Sequence, residues 1–128
     1  RSGRAGIEPL VIIENDFSEM AGSRAAEAIL ATGYGPTAIF AANDLMAIGV
    51  MQALRERGID IPGQIAVFGF DDISAARLVT PPLSTVAQFQ DRMGEKAAEI
   101  LIDRLSGSRS GGGTTEEMPF QLIERGTV

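Results

Sequence analysis

The chain has 128 residues, 45 % of them hydrophobic and 22 % charged, which suits one globular domain with a modest core. It contains neither cysteine nor histidine, so a disulfide framework, a thiolate zinc site, and the commonest metal ligand and general base are excluded. Its bases are ten arginines and the single Lys96, and a net charge of −6 opposes the phosphate backbone of nucleic acids. No apolar run approaches membrane-spanning length and Arg1–Pro9 lacks the apolar centre of a secretory signal, so no membrane partner is expected.

Along the chain, Pro9 precedes an apolar run, Leu10–Ile13, that reads as a strand covered on both faces. A helix follows, with Ser18 as its N-cap, an apolar stripe of Ala25, Ile29 and Leu30, and Gly33 as a left-handed stop. Gly35 and Pro36 turn into a second strand, Ala38–Ala42. The next helix spans Asp44–Arg57 and stops at Gly58, and a third strand, Ile65–Phe70, follows the Gly63 turn. Strands and helices alternating over such short connections imply right-handed crossovers and a parallel sheet with helices on both faces, a three-layer α/β/α arrangement. Beyond Asp72 the pattern loosens into a short helix at Ile73–Leu78, a rigid break at Thr80–Pro82 and an extended Leu83–Val86. A further helix over Asp91–Leu105 has an apolar face of Met93, Ala97, Ile100, Leu101 and Leu105; a Gly/Ser-rich loop, Ser106–Thr115, then leads to a last strand near Phe120–Glu124.

Three strand ends carry polar groups: Asn15, Asp16 and Phe17 after the first, Asn43 and Asp44 after the second, Asp71 and Asp72 after the third. In an open parallel sheet these carboxyl ends are where ligands bind. The same residues also serve as helix caps and Asx-turns, and Phe17 as a hydrophobic staple, so both readings stand. As a site, the amides and carboxylates would pair with the hydroxyls of a polyol, and Phe17 would offer a flat apolar face. The helix Asp44–Arg57 has two apolar stripes. Ala47, Val50 and Leu54 suit the sheet, whereas Ile48 and Met51, rimmed by Gln52 and Arg55, need a second cover, for which a second subunit is expected.

Four blocks in this order, AIFAANDLMAIGVMQALRERGIDIP from Ala38, IAVFGFDD from Ile65, PPLSTVAQ from Pro81 and GEKAAEILIDRLSG from Gly94, resemble the effector-binding domain of the lactose/galactose-repressor family of bacterial transcription regulators. The resemblance covers residues 10–107. It implies one lobe of a two-lobed, periplasmic-binding-protein-like fold: 9–87 as the core of the second lobe, 88–106 as a helix that packs on a first lobe lying outside this sequence, and 107–128 as a loop and returning strand. It further implies that Asn43, Asp71, Phe17 and Gln88, with Asp16 and Asn15 as weaker candidates, contact a small-molecule effector, expected to be a sugar. A homodimer contact through Ile48, Met51, Gln52, Arg55 and the region of Leu78 is also implied, as is operator DNA bound only through a separate headpiece.

No cofactor, metal or catalytic role is expected, and a cytoplasmic location follows from the family. An exported sugar-binding lobe is the nearest alternative, set against by PPLSTVAQ. A magnesium-dependent receiver-like phosphotransfer domain is the other, suggested by the acidic strand ends and opposed by Lys96, which lies within a helix.

Overall fold

The computed structural model describes residues 9–14, 16–113 and 115–128. Helix α1, Glu19–Ala31, starts where the Ser18 hydroxyl accepts the Ala21 N–H at 3.1 Å, and Gly33 beyond its end takes φ +68°. Strand β1, Ala38–Phe40, enters helix α2, Asp44–Glu56, through Asn43, whose Oδ1 accepts the Met46 N–H at 2.8 Å. Strand β2, Ala66–Phe68, lies parallel to β1 with Ile39 opposite Val67, as a β-α-β crossover requires. A 3-10 turn, Ser74–Arg77, and β3, Thr85–Ala87, follow; then come helix α3, Gln90–Leu105, and β4, Gln121–Ile123, antiparallel to β3.

The sheet continues from β2 to β3 through a parallel bridge between Phe68 and Ser84 and through the Gly69 and Asp71 N–H groups, which donate to the Ser84 and Val86 carbonyls at 2.9 Å. The tail closes the same seam: the Val67 N–H donates to the Thr127 carbonyl, and Thr127 Oγ1 accepts the Ser84 N–H, both at 2.9 Å. Leu54, Val67 and Leu83, all fully buried, meet in the core that this sheet shares with α1 and α2. The two helices cross in near backbone contact. A Cβ on Gly22 would lie 2.0 Å from the Met46 carbonyl oxygen, and one on Gly49 would lie 1.9 Å from that of Glu19. Only glycine permits this approach.

Several expectations need correction. Leu10–Ile13 forms no strand; Val11 and Ile13 are 70 % and 87 % exposed, because the run finds no ladder partner among the described residues. Helices cover one face of the β1–β2 ladder, the face of Ile39 and Val67, whereas Phe40 and Phe68 stack on the other with ring centroids 6.3 Å apart, and Phe40 remains exposed. Met51 belongs to the core, at 2 % exposure within the cluster that holds Ile61 and Ile65, so it offers a second subunit no surface. The second stripe thus shrinks to half-buried Ile48 beside exposed Gln52 and Arg55, with Leu78 exposed on its own loop. Helix α3 buries none of its residues, and Leu101 and Leu105 on its apolar face are exposed.

Candidate functional site

The carboxyl edge of the sheet is organised by a residue that capping logic alone would treat as ordinary. Asp44 is fully buried; its Oδ1 accepts the Thr85 hydroxyl at 2.5 Å, its Oδ2 accepts the Ile73 N–H at 2.9 Å, and its own N–H donates to the Phe70 carbonyl at 2.9 Å. One carboxylate therefore ties the start of α2 to the ends of β2 and β3. Burial raises its pKa above the ordinary value, against the lowering effect of the Thr85 and Ile73 hydrogen bonds.

These ties hold Asn43 beside the end of β2, on the same edge as Asp71. The Asn43 amide cross-links as well as caps: besides the Met46 N–H, its Nδ2 donates to the Phe17 carbonyl at 3.0 Å, leaving one lone pair and one N–H for a ligand. The backbone bond fixes the Phe17 main chain next to Asn43 while the ring stays 67 % exposed. Asp71 is half-buried with φ +118°, a strained conformation for a residue with a side chain, and its Oδ1 accepts the Gln88 Nε2 at 2.6 Å. The sequence-predicted pair Asp71 and Gln88 thus meets directly, the second reaching over from the segment that leaves β3.

Asp16 is spent locally. Its Oδ1 accepts the Ser18 N–H at 2.9 Å and its Oδ2 lies 3.4 Å from Arg24, and the hydrogen bonding to Ser18, ahead of Arg24, holds its pKa low. Asn15 lies outside the described residues. Asp72 turns away from Asp71 to Arg125 Nη2 at 2.5 Å and Arg77 Nη2 at 3.1 Å. Burial alone would raise the Asp72 pKa, but the hydrogen bonds from Arg125 and Arg77 outweigh it and hold the carboxyl below the ordinary range. Arg125 also donates to the Leu83 carbonyl at 2.8 Å, which pins the end of β4 to the start of β3. Among the described residues no cluster of three acidic side chains is arranged to hold a metal ion. The acidic strand ends are instead consumed by a hydroxyl, backbone N–H groups and guanidinium groups.

Beside Gln88 opens a cavity of about 480 Å³, walled by Phe70, Val86, Met93, Met118 and Phe120. Sequence reasoning missed its far wall because Met118 and Phe120 come from the segment before β4, more than thirty positions from Val86. It also missed Thr85, whose signal was a hydroxyl inside the apolar run Leu83–Ala87.

The model of the periplasmic binding protein-like domain matches residues 2–128. The HTH-type transcriptional repressor PurR of Erwinia tasmaniensis is 41 % identical over 117 residues, which is 91 % of this chain and 34 % of that protein. PurR of Edwardsiella ictaluri is 38 % identical over 126 residues, 97 % of this chain and 37 % of that protein. Among solved structures, the lac repressor dimer bound to operator and the anti-inducer ONPF superposes with a TM-score of 0.81 at 33 % identity, covering 88 % of this chain and 38 % of that one. A LacI-type transcription regulator from Bifidobacterium animalis subsp. lactis gives 0.80 at 32 % identity, covering 87 % and 39 %. The chain spans about a third of the length of the curated relatives it matches. With the α/β fold, the carboxyl-edge geometry and these matches in agreement, the chain belongs to the periplasmic binding protein-like domain family, its relatives being LacI-type transcriptional repressors.

Proposed function

We propose that the chain is the second lobe of the effector-binding domain of a LacI-type transcription regulator, and that it presents one wall of a cleft for a small molecule, a sugar in our reading. The observation that carries this is the Asp71–Gln88 pair at the carboxyl end of β2, with Asn43 and the exposed Phe17 ring on the same side of α2. A carboxylate and an amide held 2.6 Å apart present acceptors and a donor to adjacent hydroxyls, and the Phe17 ring offers a surface to the C–H face of a pyranose. Residues 9–87 form the lobe core in this reading, 88–106 is the helix that faces a first lobe, and 107–128 returns to the core. The bare apolar face of α3 supports that placement.

Such a lobe acts by differential affinity: an effector that binds the closed arrangement of two lobes more tightly than the open one shifts the population toward closure. The shift would reach operator DNA through a headpiece outside these residues, in a cytoplasmic homodimer joined through Ile48, Gln52, Arg55 and Leu78. The relatives are repressors, and in this reading the chain binds rather than catalyses.

The test is a dose-response series with candidate sugars on the longer protein carrying both lobes. Asp71→Ala and Gln88→Ala should each raise the half-saturating effector concentration at least about tenfold, the loss of roughly 1.4 kcal/mol, with operator affinity unchanged. Unaltered dose response in both variants refutes the assignment.

A further inference from the structure

Between the 9–12 segment and β1 lies a cleft of about 710 Å³. Its floor is apolar, made by Ala25 and Ile29 of α1 and by Met46 and Val50 of α2. One wall is Leu10–Ile12, extended but unladdered; the other is the free edge of β1. The ladder to β2 uses Thr37, Ile39 and Ala41, with the Ala66 N–H donating to Thr37 and the Ala41 N–H to Phe68, both at 2.9 Å. By alternation the main-chain groups of Ala38, Phe40 and Ala42 point into the cleft, and among the described residues β1 has no second neighbouring strand. A buried-type edge with unpaired main-chain groups on one side, an apolar floor beneath and a second extended segment opposite is shaped for backbone, not for a compact solute.

We propose that this cleft is the seat of one further β-strand, an extended apolar polypeptide segment supplied from outside these 128 residues, which inserts between Leu10–Ile12 and β1. Facing Ala38–Ala42 takes about five residues, or roughly 16 Å of strand. Alternate side chains of the incoming strand would cover Ile29 and Val50, and those between would join Phe40 on the outer face. Its arrival would give Leu10–Ile13 a ladder partner and shield Val11 and Ile13, the most exposed aliphatic residues of that segment. The site is separate from the Asp71–Gln88 pair and does not depend on the nature of any effector.

Amide hydrogen exchange, read by NMR on the 128-residue chain, tests it with an acetylated and amidated heptapeptide of alternating valine and threonine ending in lysine. A peptide of the same composition with a central proline is the control. The expected result is at least tenfold slower exchange at Phe40 and Ala42, with Ile39 unchanged, saturable in the first peptide and absent with the second. Ala38→Pro removes an N–H from the open edge alone, sparing the bonds to β2, and should abolish the protection while the Ile39 amide keeps its own. Absence of protection at millimolar peptide overturns the proposal. So does slowing at Phe40 and Ala42 that grows with protein concentration in the absence of peptide, which would mean that two copies pair edge to edge.

Discussion

Replacing Gly49 by alanine adds one methyl group where α2 meets α1, and the model gives its consequence in distances. The new Cβ would stand 1.9 Å from the Glu19 carbonyl oxygen, 2.7 Å from its carbon and 3.0 Å from the Ser23 nitrogen. All three are backbone atoms, so no rotamer change relieves the overlap; α1 must recede by more than about 1 Å to restore contact distance. A radial gap of that size forfeits a quarter to a half of each dispersion well along the interface, here across Ala21, Ala25 and Ala26, which are buried against α2. Overpacking of this kind costs about 1–3 kcal/mol and more where backbone must move, so we expect about 3 kcal/mol. With a urea m-value of about 2 kcal/mol/M, the midpoint falls by about 1.5 M. Urea unfolding followed by far-ultraviolet circular dichroism measures it. Gly94→Ala in α3, where nothing lies within 4 Å of the added Cβ, is the matched control and should raise stability by about 0.5–1 kcal/mol through helix propensity. A Gly49→Ala loss below about 1 kcal/mol at unchanged m would refute the close-crossing reasoning.

Asp44→Ala leaves the Thr85 hydroxyl and the Ile73 N–H without their acceptors in a buried site, at about 1–3 kcal/mol each, so unfolding should come about 3–4 kcal/mol more easily in the same assay. Asp72 carries the opposite pH sign to Asp44. Its folded pKa is lowered, so the stability it contributes is present above the ordinary 3.8 and is lost as pH falls through the folded value, whereas the raised Asp44 pKa favours the fold at low pH and loses that contribution as pH rises. Wild type should therefore exceed Asp72→Asn by about 1–3 kcal/mol at pH 6 and the gap should close on acidification below 3.8; a gap that widens in urea titrations at pH 6, 4 and 3 contradicts the sign. The isolated chain, with one wall of the proposed cleft, should bind sugars only weakly, and calorimetry giving micromolar affinity would contradict a two-walled site.

Most of the alternation was readable because each signal was local. Ser18 and Asn43 cap as their residue types demand, Gly33 and Gly58 adopt the left-handed turns that end their helices, and the break at Thr80–Pro82 separates the 3-10 turn from β3. Failures fell where partners are distant. The period of Leu10–Ile13 suits a strand, but a strand exists only with a neighbour, and none lies beside it. Met51 and Ile48 share a helical stripe, yet the core closes over the first and leaves the second half covered, a difference fixed by Ile61 and Ile65 rather than by α2 itself. In the site, residue types gave the candidates and geometry divided them: Asp71 and Gln88 pair, Asp16 turns to Ser18 and Arg24, and Asp44 becomes the internal tie.

In the β3–β4 ladder Ala87 stands opposite Gln121, so the chain leaves the core and re-enters it at adjacent points. Everything from Gln88 to Phe120 is thus a detachable excursion, and a two-residue hairpin turn could bridge its mouth. Material can be lengthened, shortened or exchanged in that stretch without disturbing the packing behind Asp44, whereas cutting the final three residues would remove Thr127 and unfasten the seam it closes.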